Sequence, residues 1–249
     1  MAVTSKSLDG NFMYYYPQGG TMKRFFIIAA AVLSLLSCIS SAPKGDIGSF
    51  DAAKVQLLSD GKAAVVDVLS FNDFHGTIYE DPLGKNVGIA KMATVVSRLK
   101  TQNPNTVLVS AGDNYQGSAL SIVSQGAIIS EFFKYIGVSA SAVGNHEFDW
   151  GDGLFGTWTE QGGFPFLAAN LIDKRTGKVA AFVKPYTIVR VGGRRIAFIG
   201  LSTVETPKST KAQNVENYEF ANPAKTALYW VNYLKATEKP DVIIGLTHI

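Results

Sequence analysis

Apolar positions along the chain fall into two kinds of pattern. Short unbroken runs rich in β-branched residues mark buried strands over residues 63–70, 106–110, 139–143 and 242–246. Between them, apolar residues recur at helical spacing: Ile89, Met92, Val96 and Leu99 line a predicted helix over 88–102, and Ile122, Ile129 and Phe133 one over 118–135. Asn222-Pro223 opens another helix, with Asn as N-cap and Pro at the first helical position, running to about residue 236. Strand alternating with helix predicts parallel pairing. The middle of the chain differs. Residues 164–171, 186–191 and 195–201 read as strands with short links, and Gly192-Gly193 as a hairpin turn, which is an antiparallel texture.

With 249 residues and 47% hydrophobic content, the chain has ample material for a packed core. The N-terminal part is organised differently. Met22-Lys23-Arg24 followed by an almost unbroken apolar run over 25–37 and then small residues reads as an export signal over 22–42, too short to span a bilayer comfortably. Residues 1–21, polar and aromatic, do not fit in front of such a signal and read as a disordered extension or a segment before the true start at Met22. Residues 43–61 read as a linker, and the folded domain as 62–249. Cys38, the single cysteine, sits in a loose lipobox-like context and is a candidate lipid anchor, with ordinary cleavage beyond Ala42 as the alternative. Either fate places the protein outside the cytoplasm, in a bacterial periplasm or cell envelope. A net charge of +3 with scattered Lys and Arg gives no footprint for a nucleic-acid polymer.

The chain has three histidines, His75, His146 and His248, and each follows a predicted buried strand. Asp113 ends a fourth strand in the same way. In open α/β sheets functional groups gather beyond the carboxyl ends of the strands, so these residues can converge despite their separation. Asp73-Phe74-His75 sets a carboxylate and an imidazole two apart, on one side of the chain if the backbone is extended. Gly112-Asp113 adds a carboxylate whose two oxygens can bridge two cations, with a glycine before it where a side chain would block close approach. Gly144-Asn145-His146-Glu147-Phe148-Asp149 is the most specific signal. Asn145 offers an amide oxygen to a metal, His146 an imidazole to substrate, and Asp149 a carboxylate to orient that imidazole. Glu147 faces away or braces the loop. Oxygen ligands mixed with imidazole suit zinc or manganese better than calcium. No glycine-rich phosphate loop is present, which disfavours transfer from a bound nucleoside triphosphate.

The ordered set Asp73-x-His75, Gly112-Asp113, Gly144-Asn145-His146-Glu147 and a later strand-end His248 resembles the calcineurin-like metallophosphoesterases. Asn72-Asp73-Phe74-His75-Gly76, Gly112-Asp113-Asn114-Tyr115-Gln116-Gly117 and Asn145-His146-Glu147-Phe148-Asp149 look like the 5′-nucleotidase and cyclic-nucleotide phosphodiesterase branch. The resemblance implies a four-layer α/β/β/α sandwich, incomplete at the C-terminus. It implies that Asp73 and His75 bind a first divalent metal, that Asp113 bridges both metals, and that Asn145 and His248 bind the second. His146 with Asp149 is then the catalytic pair in hydrolysis of a nucleotide or other phosphoester. A 2′,3′-cyclic phosphodiesterase or UDP-sugar hydrolase is the alternative activity. The family's closing Gly-His-x-His or Gly-His-x-Gln segment is not matched, and the C-terminal nucleotide-binding domain expected in a full-length relative is not in this sequence. The corresponding expectation is a fragment of a longer precursor, with an inactive metal-binding module as the alternative of another class.

Overall fold

In a computed structural model the chain is described over residues 3–8, for the backbone alone, and over 65–81, 83 and 86–249. The expected export signal over 22–42, its Cys38 and the linker over 43–61 lie outside the described residues.

Five strands, β1 (Val3–Leu8), β2 (Val66–Phe71), β3 (Thr106–Ser110), β4 (Val138–Ala142) and β5 (Phe166–Leu167), form a parallel sheet in that order. The helices between them are α1 (Gly88–Gln102), α2 (Ala119–Val123), α3 (Ala127–Ile136) and α4 (Phe155–Gly162). Both faces of this sheet are covered, which is why its central strands are apolar runs rather than alternating ones. Leu69, Phe71 and Leu108 pack against Met92 and Val96 of α1 and Ile129 and Phe133 of α3. Val66, Val68, Val107, Val109, Ala140 and Ala142 point the other way.

Beyond β5 the chain forms β6 (Leu171–Asp173), β7 (Lys178–Val179), the hairpin β8 (Tyr186–Val191) and β9 (Arg194–Ser202), then α5 (Thr206–Ser209), β10 (Tyr218–Phe220), α6 (Pro223–Ala236) and β11 (Val242–His248). Strands β6, β7 and β10 make a small antiparallel sheet. The hairpin turns on Gly192 and Gly193, both at positive φ (57° and 72°), as a tight turn between twisted strands demands. Strand β11 lies parallel to β9, giving a mixed sheet in the order β11-β9-β8. Ile196, Phe198 and Leu246 of this sheet meet the free face of the parallel sheet. Its outer face, Ala197, Ile199 and Leu201, carries Leu234 and Trp230 of α6. The layers are therefore helices, parallel sheet, mixed sheet and helix, the expected α/β/β/α sandwich. At Gly200 the sheets touch backbone to backbone: an added Cβ would stand 2.2 Å from the Leu167 carbonyl carbon and oxygen.

Two expectations are corrected and one element is added. The helix over 118–135 is two, broken where Gln125 and Gly126 take positive φ (49° and 82°), and Ile122 is 44% exposed instead of facing the core. The strand over 164–171 is divided between β5 and β6. Buried Asn170 holds the corner between them: its amide donates to the carbonyls of Ser202 (2.8 Å) and Ala221 (3.0 Å), and its oxygen accepts from Ser202 N–H (2.9 Å). Strand β1 falls within 1–21, where the sequence reading places no element, and pairs with β2 from Val3 opposite Val66 to Leu8 opposite Phe71.

Candidate metal centre

The loops leaving β2 and β3 run side by side past the sheet. Ala111 N–H donates to Phe71 O (2.7 Å), Asp73 N–H to Gly112 O (3.0 Å), His75 N–H to Asp113 O (3.0 Å) and Gly76 N–H to Asn114 O (2.7 Å). This cross-bonding, and not extended backbone, brings Asp73 and His75 to one side. Both take left-handed φ, 50° and 49°, so the extended-strand argument for their convergence is corrected. Asp113 also has positive φ, 58°. Left-handed backbone is uncommon for residues with a Cβ and persists where surrounding contacts impose it. That three of the expected ligands share it marks this corner as one where side-chain placement outweighs local preference.

The loop after β4 closes on the same point. Gly144 has no room for a side chain, since a Cβ there would lie 2.1 Å from Asp113 Oδ1. His146 N–H donates to that same Oδ1 at 2.8 Å. From the mixed sheet, His248 at the end of β11 points its Nε2 at Asp113 Oδ2, 3.2 Å away, while its Nδ1 donates to Ala111 O at 3.0 Å. His75 is oriented in the same manner: Nδ1 bonds Gln116 O (3.1 Å) and Nε2 faces Asp73 Oδ1 (3.4 Å). Backbone carbonyls on Nδ1 fix the ring and free Nε2 for a metal.

Among the described residues, donor atoms lying within 4.8 Å of one another fall into two groups, Asp73 with Asp113 and His248, and His75 with Asp113 and His146. Asp113, 3% exposed, belongs to both. The fit to a divalent cation is one of donor chemistry: carboxylate oxygens and imidazole nitrogens converge in both groups. Asn145 stands beside them with its Nδ2 donating to Ser209 O (3.5 Å), which leaves the amide oxygen free. The resemblance assigns Asp73 and His75 to one ion, and here they are neighbours but belong to separate donor groups.

His146 has a second partner. Its Nδ1 bonds Asp149 Oδ2 at 2.7 Å, and Asp149 Oδ1 accepts from Thr210 Oγ1 at 3.0 Å. Asn214 fixes the turn beneath by donating to the carbonyls of Phe148 (2.7 Å) and Asp149 (3.1 Å). Burial disfavours the imidazolium of His146, but the Asp149 hydrogen bond and the surrounding carboxylate charges outweigh it, so the ring is more basic than usual. His248 shows the same balance. Burial pulls its pKa down, and the bond to and charge of Asp113 raise it to about 9. Burial followed by the Asp113 charge pushes Glu147 up to about 7, against the pull of backbone N–H donors.

Thr210, Asn214 and a buried hydroxyl and amide network beneath the loops are absent from the sequence reading. In that network Ser110 Oγ donates to Asn114 Oδ1 (2.6 Å), and Asn114 Nδ2 donates to Ser141 Oγ (2.9 Å). The available signal is a serine in or at the end of an otherwise apolar strand, Ser110 and Ser141. Thr210 carries no such mark.

Residues 66–249 match the family model described as calcineurin-like phosphoesterase. The chain is 32% identical over 221 residues to a 5′-nucleotidase of Vibrio cholerae, covering 87% of this chain and 39% of that protein. It is 31% identical over 192 residues to protein UshA of Escherichia coli, covering 76% of this chain and 34% of that one. Among solved structures, the 5′-nucleotidase precursor of Thermus thermophilus superposes with a TM-score of 0.64 at 27% identity, over 73% of this chain and 36% of that chain. The chain thus spans well under half the length of these relatives. The fold, the order of the motifs and the matched model agree, and the chain belongs to the calcineurin-like phosphoesterase family.

Proposed function

We propose that the protein is an exported metal-dependent hydrolase of nucleotide phosphoesters, 5′-nucleotidase-like, of which this chain carries the metal-binding part. The observation that carries the reading is Asp113, a buried carboxylate common to both donor groups and bonded to His146 N–H and His248. Asp73 and His75 would hold one ion, Asn145 and His248 the other, and Asp113 both, with zinc or manganese best suited to this mixture. Two such ions supply an activated water and neutralise charge on the phosphoryl oxygens. His146, oriented by Asp149, stands at the edge of the site with its ring 5.1 Å, centroid to centroid, from that of His75. It would stabilise charge at a phosphoryl oxygen or hand a proton to the departing alcohol. The names of the relatives favour a nucleoside 5′-phosphate, with cyclic nucleotides and UDP-sugars as the nearest competitors. A further domain would hold the base, and export would proceed through the signal over 22–42, with Cys38 as the candidate lipid anchor.

The test is hydrolysis of AMP, 2′,3′-cyclic AMP and UDP-glucose side by side, before and after chelation and after zinc or manganese is restored. AMP turnover that vanishes with the chelator and returns with metal is expected. Hydrolysis untouched by chelation overturns the reading, and metal binding without any turnover reduces this chain to a metal-binding module.

A further inference from the structure

We propose that Glu147 is the positioning residue of this site: its buried carboxylate clamps the loop carrying Asp113 to the loop carrying Asn145 and His146, and so sets the spacing on which metal affinity depends. The inference rests on the reading of the site as metal-binding.

Glu147 is 0% exposed, and both of its oxygens are occupied. Oε2 accepts from the backbone N–H of Asp113 (2.9 Å) and of Gly144 (2.6 Å). Oε1 accepts from the backbone N–H of Asn114 (2.7 Å) and from its side-chain amide (3.1 Å). These four donors come from two loops that the chain separates by about thirty residues. Each of the two bonds at Oε2 reaches a different loop, so one oxygen sets their separation.

The clamp acts where no slack remains. Asp113 is held at φ 58° and Gly112 at φ 105°, and the Gly144 backbone lies so near Asp113 Oδ1 that a single Cβ would collide with it. A small displacement of either loop therefore moves the Asp113 carboxylate itself instead of being absorbed by loose packing. Beneath the clamp, Asn114 continues to Ser110 and Ser141, so the bonds extend into β3 and the β4 end. The chemistry also specifies a carboxylate at this position. All four partners are N–H donors, and an amide in its place would set an NH2 group against two of them, leaving buried donors without acceptors. Four N–H donors from two loops thus converge on one buried carboxylate, and that convergence aligns the backbone on either side of the Asp113 ligand.

The test is Co²⁺ binding to the purified chain, read by calorimetry and by the visible ligand-field spectrum, in wild type and in Glu147→Gln, well below both unfolding temperatures. The expected result is a folded variant with cobalt affinity 10- to 100-fold weaker and an altered visible band, the range seen when groups that support metal ligands are removed. A folded Glu147→Gln with wild-type affinity and spectrum overturns the assignment while leaving the metal reading intact. A wild-type chain that binds no cobalt overturns both. Should Glu147→Gln not fold, amide exchange in the wild type decides. Asp113, Asn114 and Gly144 N–H protected like strand amides support the clamp, and exchange as fast as exposed turns overturns it.

Discussion

Four of the five expected ligands, Asp73, His75, Asp113 and Asn145, stand on loops of the parallel sheet, and the fifth, His248, on the last strand of the mixed sheet. The surroundings differ as much as the numbers. Side chains of β3 are buried from Val107 to Ser110, and its loop is bonded to both neighbouring loops through the backbone and Glu147. Among the described residues strand β11 buries only Leu246 fully and lies at an edge, with β9 as its pairing partner. His248 reaches the site because the parallel register carries β11 to its end, with His248 opposite Ser202, and because Ala111 and Asp113 receive its two nitrogens. The parallel sheet would supply the more rigid half-site and the mixed sheet a single ligand docked onto it. Rigid elements hold ligands within the narrow tolerance a metal requires, and an edge strand opens more readily.

The largest effect expected from this asymmetry is at Asp113. Asp113→Ala removes the carboxylate common to both donor groups, and metal bound after dialysis against micromolar zinc falls to background, whereas His248→Ala keeps about one equivalent with weaker affinity. If Asp113→Ala retains more metal than His248→Ala, the rigid half-site is not where binding resides. Next in size, His146→Ala lowers turnover by about 10²- to 10⁴-fold, the usual contribution of a proton-transfer group. Metal analysis of the same variant sharpens the assignment. Unchanged metal content keeps His146 on substrate, and loss of an equivalent makes it a ligand of the group it forms with His75 and Asp113.

Much of this architecture is readable in the residues alone, for definite reasons. The helices over 88–102 and 223–236 match to the residue, because an apolar period bounded by Pro or by a capping Asn is a local property: Asn222 Oδ1 accepts from Lys225 N–H at 3.0 Å. The site motifs are readable because His75, His146, His248 and Asp113 each follow an apolar run, a coincidence that isolated turn residues do not produce. What escapes the sequence is imposed by neighbours. The left-handed backbone at Asp73 and His75 comes from the adjacent loop, and the break at Gln125-Gly126 lies inside an apolar period that continues across it. Thr210 is one threonine among several in a polar segment, and only the closure of the mixed sheet onto the Asp149 turn gives it a partner.

The docked histidine also makes a pH-dependent contribution to the metal-free chain. The His248 pKa is raised from 6.5 to about 9, burial opposing and Asp113 prevailing. The folded state therefore holds a proton that the unfolded chain releases, and the resulting stability is fully present below pH 6.5 and lost as pH rises to about 9. At the standard conversion of pKa into free energy this amounts to roughly 3 kcal/mol. Denaturant midpoints of the chelated chain should fall across that window, and His248→Ala should flatten the fall. A slope that survives the substitution assigns it to other groups.

The smallest expected effect concerns the hydrogen bond from the mixed-sheet side that reaches the Asp149 carboxylate. Thr210, just after α5, donates to Asp149 Oδ1, the oxygen not engaged with His146. Thr210→Ala deletes that donor, which removes about 1 kcal/mol of support and lowers kcat about threefold to tenfold with KM unchanged. The direction of a second change is fixed by charge. A carboxylate with one fewer donor accepts more strongly from the imidazolium, so the limb of the pH–rate profile belonging to His146 moves to higher pH. Thr210→Ser keeps the hydroxyl and should restore both values. A loss of kcat with an unmoved pH limb would reduce Thr210 to packing, and leave the Asn214 bonds to the Phe148 and Asp149 carbonyls as the support from that side for the His146–Asp149 pair.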